Sequence, residues 1–283
     1  KKEKYTIISC HTPTGGVLGR IASKMVRKDY NTKVIYTAHG FHFSKTSPKY
    51  YWLIYYPIER ILAKITDALI TMNREDYLIA KDKFNANVYY INGIGFNKER
   101  LLEDKLVKEN RVKRNNLKKE LGIKKSDFVL CYVAEISRRK GQKNLIKTLN
   151  KINMEKEGIK LLLIGDSYIK NIDKYIDNSL NKNNIYYLGF KNNIGDYLEI
   201  SDLVLSVSKQ EGLPLNVMEA LYMNKLVIGT DIRGNNDLIK DKNCLISLNN
   251  KKQYKILIFA NYIVSDNLRD ISSYLLEKNK NII

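Results

Sequence analysis

Short apolar runs alternate with amphipathic stretches along nearly the whole chain, and this alternation restricts the fold more than any other feature of the sequence. In the first half, Tyr5 to Ser9, Lys33 to Thr37, Ala68 to Thr71 and Val88 to Tyr90 have the β-branched and aromatic content of strands. Gly15 to Arg27, Trp52 to Ile65 and Arg74 to Lys83 lie between them with apolar residues at helical spacing. A second series follows. Phe128 to Ala134, Lys160 to Ile164, Ile185 to Leu188, Leu203 to Ser206 and Leu226 to Gly229 are its expected strands. Asn144 to Glu155, Ile169 to Leu180, Ile194 to Ile200 and Leu215 to Met223 are its expected helices. Strands alternating with helices build right-handed β-α-β units on a parallel sheet. Between the two series, Glu99 to Leu121 is polar and rich in Lys and Arg, as a linker leading into a solvated helix would be. The expectation is an α/β protein of two Rossmann-like domains, residues 1–105 and 106–283.

In such sheets ligands bind beyond the carboxyl ends of the strands. Three segments fall at those ends: His39 after Val34-Ile-Tyr-Thr, Lys140 after Tyr132-Val-Ala, and Glu211 after Leu203 to Val207. The third is the most specific. Ser208-Lys-Gln-Glu-Gly-Leu-Pro-Leu-Asn-Val-Met-Glu219 joins a buried strand to a helix, with Pro214 suited to a first helical turn. The N–H groups of Leu213, Leu215 and Asn216 would then be free for phosphate oxygens. Glu219, one turn into the helix, is placed for ribose hydroxyls, and Glu211, before the turn, for a sugar ring. That is the layout of a nucleotide-sugar site. The alternative is an ordinary strand-to-helix turn carrying two surface acids.

The same two-sided weighing applies elsewhere. Arg138-Arg-Lys140 is either a phosphate contact or a solvated loop, and His39 is either a site residue or a structural residue at a strand end. His42 is read as packing or acceptor-side, and His11 as shaping a turn. Gly15-Gly16 reads as a tight turn, with anion binding the lesser alternative. Cys10, Cys131 and Cys244 have no paired spacing and are expected as reduced, buried thiols.

The formal net charge of +19, from 49 basic and 30 acidic residues, implies polyanionic partners, although Lys, Asn and Ile abound throughout. Nucleic acid is the different-class alternative, and no recognised nucleic-acid module supports it. Trp52 to Ile65 carries Trp52, Tyr55, Tyr56 and Pro57, with Tyr50 and Tyr51 just before it and Lys45, Lys49, Arg60 and Lys64 interleaved. It fits an anionic membrane surface, or half-buried packing on the first domain. No apolar run reaches the roughly 18 residues of a membrane span. The expected location is cytoplasmic, peripheral to the inner face of the membrane. There is no Asp-x-Asp triplet to hold a divalent cation against a diphosphate, and no metal-ligand spacing among His and Cys. Neither metal nor cofactor is expected.

Glu211-Gly-Leu-Pro-Leu-Asn-Val-Met-Glu219-Ala-Leu resembles the Glu, seven residues, Glu signature of the retaining glycosyltransferases of family 4. Leu226-Val-Ile-Gly-Thr-Asp-Ile-Arg-Gly-Asn-Asn-Asp and Val34-Ile-Tyr-Thr-Ala-His39-Gly-Phe-His-Phe are similar to that family too. His11-Thr-Pro-Thr-Gly-Gly and Tyr55-Tyr-Pro-Ile-Glu-Arg resemble its capsular and exopolysaccharide branch. The resemblance implies the GT-B fold, two Rossmann-like domains facing across a cleft. It implies transfer of a hexose, with retention, from a nucleotide-diphosphate sugar, UDP-linked, to a lipid-linked saccharide. Carried over to this sequence, it makes Glu211 and His39 the catalytic pair. Lys140, Arg139, Gly189, Phe190, Gly212, Leu213, Pro214, Leu215, Asn216 and Glu219 become donor-binding. Within that set Glu219 meets the ribose, the backbone at Leu213 to Asn216 the diphosphate, Lys140 its oxygens, and Gly189-Phe190 the base. Glu135 stands where many relatives carry Arg, and Arg139 is the candidate substitute. Against the family pattern the first domain is expected to lack about 80 residues, by the usual size of such a domain, and the end at Lys278 to Ile283 to precede a final crossing helix. A fragment that binds nucleotide sugar without turnover is the second reading.

Overall fold

The computed structural model describes residues 4–102 and 109–248. It comprises two compact units. The first is Lys1–Gly95 with Gln210–Leu213 and Ile232–Asp237, and the second is Phe96–Lys209 with Pro214–Asp231 and Leu238–Ile283. The expected domain break at 105/106 and the chain end at Lys278 to Ile283 lie outside the described residues.

The first unit carries β1 (Ile7–His11), α1 (Pro13–Tyr30), β2 (Lys33–Ala38), α2 (Lys49–Ala63), β3 (Ala68–Thr71), α3 (Arg74–Lys83) and β4 (Asn87–Tyr90). Its strands form one parallel sheet in the order β1-β2-β3-β4. Cys10, Val34, Tyr36, Leu69, Phe41 and Phe43 are part of its core. Gly16 lies within α1 and not in a turn, where a Cβ would strike the Tyr36 ring. The Gly15-Gly16 expectation is thus corrected: both residues lie in the helix, and Gly16 permits its close packing on the sheet.

The second unit contains α4 (Lys98–Leu102), α5 (Glu109–Glu120), β5 (Phe128–Val133), α6 (Gln142–Leu149), β6 (Ile159–Ile164), α7 (Ile172–Asp177), β7 (Ile185–Tyr187), α8 (Ile194–Ile200), β8 (Leu203–Ser206), α9 (Leu215–Tyr222), β9 (Leu226–Thr230) and β10 (Leu245–Ile246). A further short helix, α10 (Asn235–Leu238), falls mostly in the first unit. The six strands are parallel and ordered β10-β9-β8-β5-β6-β7. This is the doubly wound Rossmann order, and its reversal point lies between β5 and β8. Apolar layers cover both faces of the sheet, which is why these strands read as continuous apolar runs.

Two expected helices are shorter than their apolar patterns. α6 stops at Leu149 because the Asn181 amide donates to the carbonyls of Leu149 (2.9 Å) and Ile152 (3.1 Å) and caps the chain as it turns. α7 begins only at Ile172, after Asn171 in the left-handed conformation. The three cysteines are buried and unbridged, and burial pushes the Cys131 thiol up to about 12.

Candidate nucleotide-sugar site

The second unit places its candidate residues at the β5/β8 reversal point. The loop after β5 and the loop after β8 are tied together by main chain and by one tyrosine. Lys209 N donates to Arg139 O (2.8 Å). Tyr132 Oη donates to Lys140 O (2.8 Å) and lies 3.0 Å from Ser208 Oγ. Gly141 has φ +80°, and a Cβ there would lie 2.7 Å from Val207 O, so only glycine permits this approach. Lys140, half-buried, is therefore fixed at the reversal point. Arg139 is exposed, and its guanidinium meets Glu135 at 3.0 Å, so the candidate substitute for the missing arginine is engaged by the residue that replaced it.

α9 follows with Pro214 at its N-cap, no side-chain cap and no acidic residue in its first turn. Its first N–H groups are therefore not claimed by a capping side chain, which leaves the positive end of the helix to an anion. Asn216 Nδ2 is buried there without a hydrogen-bond partner. Glu219 lines a pocket of about 120 Å³ with Leu215, Phe96, Asn97, Asn192 and Ile194. Gly189 and Phe190 close β7, Gly189 with φ +65° and Phe190 61% exposed, a ring available to stack.

The first unit brings together His39 and the Glu211 loop. Glu211 is buried. A Cβ on Gly212 would collide with the His39 carbonyl, so the two loops touch backbone to backbone. Arg233, also buried, locks this contact. Its Nε donates to Glu211 O (2.9 Å), its Nη1 to Asp76 Oδ1 (2.6 Å) and Phe43 O (3.1 Å), and its Nη2 to Phe41 O. Asp76 in turn accepts from Phe41 N (2.9 Å) and Asn73 Nδ2 (2.8 Å). Gln210 Nε2 adds a bond to Phe41 O (3.2 Å).

His11 does more than shape a turn. It ends β1, and its Nδ1 lies 3.2 Å from His39 Nε2, while Ser9 Oγ lies 3.1 Å from His11 Nε2. Burial, then the neighbouring His11, lower the pKa of His39, which favours the neutral ring. His42 stacks on Tyr55 at 4.4 Å, and burial followed by the Arg233 charge lowers its pKa.

Arg233, Asp76, Tyr132 and the His11 ring were not picked out from sequence. Arg233 and Asp76 are 157 residues apart, so no local pattern links them.

These features define a GT-B type of fold, and solved structures agree in fold. An Anabaena HepE structure in complex with UDP and glucose superposes with TM-score 0.73 at 18% identity, covering 98% of this chain and 74% of that one. WaaG, a glycosyltransferase involved in lipopolysaccharide biosynthesis, superposes with TM-score 0.70 at 14% identity, covering 96% and 80%. Residues 113–263 match the glycosyl transferases group 1 family, and residues 1–73 the glycosyl transferase 4-like family. The chain belongs to the glycosyl transferases group 1 family. It is 36% identical over 241 residues to the putative glycosyltransferase EpsD of Bacillus subtilis, covering 84% of this chain and 62% of that protein. It is 31% identical over 260 residues to the UDP-Gal:alpha-D-GlcNAc-diphosphoundecaprenol alpha-1,3-galactosyltransferase of Escherichia coli, covering 88% and 64%. The chain thus spans less than two thirds of the length of these curated relatives.

Proposed function

We propose that the chain transfers a hexose, with retention, from a UDP-sugar to a lipid-linked saccharide at the inner face of the cell membrane, in the synthesis of a surface polysaccharide. The observation that carries this reading is the β5/β8 reversal point, where Tyr132 holds the main chain at Lys140 and the helix that follows β8 starts without a side-chain cap. Donor and acceptor class draw on the E. coli relative, whose name specifies a UDP-galactose donor and a diphosphoundecaprenol-linked acceptor. HepE is described in complex with UDP and glucose.

In this reading Glu219 accepts from the ribose hydroxyls and the α9 N–H groups hold the diphosphate. Gly189 and Phe190 border the base, and Gly212, Leu213 and Pro214 shape the turn. Charge builds on the leaving diphosphate as the anomeric bond breaks. In this reading Lys140 and the helix N-terminus meet that charge, which is electrostatic stabilisation without metal. Glu211 and His39 contact the transferred sugar. Neutral His39 can accept or donate one hydrogen bond to a sugar hydroxyl.

Calorimetry with UDP tests the assignment. Glu219→Ala should weaken binding about 10- to 100-fold, the loss expected for hydrogen bonds to a charged group. Unchanged affinity would sink the ribose role. UDP binding without sugar transfer in any donor–acceptor screen would favour a binding-only chain, and turnover abolished by EDTA would contradict metal-free departure.

A further inference from the structure

α2 is apolar on two opposite sides. Its inward side holds the aromatic residues: Trp52 donates from Nε1 to Ser44 O (2.9 Å) and lies 4.9 Å from the Phe43 ring, and Tyr56 packs on Phe43 and Phe84. Of the two readings of these aromatics, packing on the first domain is the one that Tyr51, Trp52, Tyr55 and Tyr56 follow. The outward side is a different set, Tyr50, Leu53, Ile54, Ile58 and Ile61, with exposures of 57, 78, 51, 39 and 64%. Their spacing of three, four, eight and eleven residues from Tyr50 makes one continuous stripe along the helix. A stripe of this kind facing solvent marks an interaction surface.

The charges beside it have one sign. Lys45, Lys49, Arg60 and Lys64 are all exposed. The only acid in α2, Glu59, is buried and paired with Arg20 at 2.8 Å. An aliphatic stripe with cations at both ends matches a bilayer interface: apolar side chains enter the acyl boundary, and Lys and Arg extend to anionic headgroups. We infer that the outward face of α2 docks the protein on an anionic membrane surface. The inference rests on the reading that the acceptor is lipid-linked, and it identifies the surface that would bring the chain to that acceptor.

The full chain is tested with vesicles of phosphatidylcholine alone and with phosphatidylglycerol added. The expected result is binding to the anionic vesicles, at least about tenfold stronger than to neutral ones and weakened by salt. Leu53→Ser with Ile61→Ser, and separately Lys49→Glu with Lys64→Glu, should each lower vesicle binding about tenfold or more, with melting temperature and UDP affinity unchanged. Wild-type protein that ignores anionic vesicles, or variants that bind like wild type, would overturn the inference. A lower melting temperature in the Leu53/Ile61 variant would show that the chain itself covers the stripe. A change of oligomeric state in that variant would show a second copy covering it. Either outcome also overturns the inference. Vesicle binding needs neither donor nor acceptor, so failure of the transfer reading would leave this result standing, and the reverse.

Discussion

Arg233 Nη1 lies 2.6 Å from Asp76 Oδ1, with both side chains almost wholly out of solvent. The pair joins the start of α3 to the segment after β9, and the same guanidinium holds the carbonyl of Glu211. A buried pair is weak evidence for net stability, but removing one partner leaves an uncompensated charge and costs about 3–5 kcal/mol. Arg233→Met should therefore destabilise the protein by about that amount in urea unfolding. Arg233→Met combined with Asp76→Leu should cost clearly less than the sum of the two single changes. Sugar transfer should fall in all three variants, because each frees the Glu211 loop from its anchor.

Much of the framework was legible in the sequence because local pattern and tertiary packing agree there. Ala68–Thr71, Arg74–Lys83, Ile194–Ile200 and Leu203–Ser206 have the bounds their periodicity implies. It was less legible where a distant side chain decides. Asn181 ends α6 early, and β10 is two residues long, too short for a period to register. The site divides the same way. Glu211, Glu219, Lys140 and His39 stand at strand ends or a helix start, positions that local pattern reveals. Arg233 lies in the Leu226 to Asp237 segment, but local pattern assigns it no role, since its partners Asp76, Phe41 and Phe43 come from the other half of the chain.

Gly212 offers a sharper test of the Glu211–His39 contact. A methyl group there would occupy the position of the His39 carbonyl, so one loop must move. Forcing extra volume into a tight contact typically costs about 1–3 kcal/mol. Gly212→Ala should lower kcat/KM for transfer by about 10- to 100-fold, since 1.4 kcal/mol corresponds to a factor of ten. UDP affinity should change only a few-fold, because Lys140, Glu219 and the α9 N–H groups all lie in the second unit. An equal loss of UDP binding would show that the loop supports the nucleotide as well.

Lys140 should separate chemistry from binding. Its charge counts most when the diphosphate departs, and a preoriented donor of this kind contributes about 2.7–4 kcal/mol. Lys140→Ala should lower kcat by about 100- to 1000-fold, with a smaller change in donor KM. Lys140→Arg should recover only part of the rate, because a planar guanidinium does not reproduce a compact ammonium. Steady-state kinetics with a fixed acceptor would decide it, and a variant impaired only in KM would reassign Lys140 to ground-state binding.

The His11–His39 pair predicts a pH dependence whose direction can be argued from its causes. Burial and then His11 hold the His39 pKa below the ordinary histidine value, so the folded protein binds a proton there less readily than the unfolded chain. As pH falls through the ordinary histidine range, the unfolded state takes up that proton first, and stability declines toward acid. The 3.2 Å contact also needs one ring nitrogen to offer a lone pair, so protonating both rings breaks it. Transfer should fall on the acid side, with a midpoint below that of an unperturbed histidine. His11→Ala removes the second of the two causes and leaves the first. The His39 titration, followed by NMR of its ring proton, should move up toward the ordinary value without reaching it, and the acid limb of kcat/KM should move with it. A titration of His39 unchanged by His11→Ala would assign the depressed pKa to burial alone and remove His11 from the site.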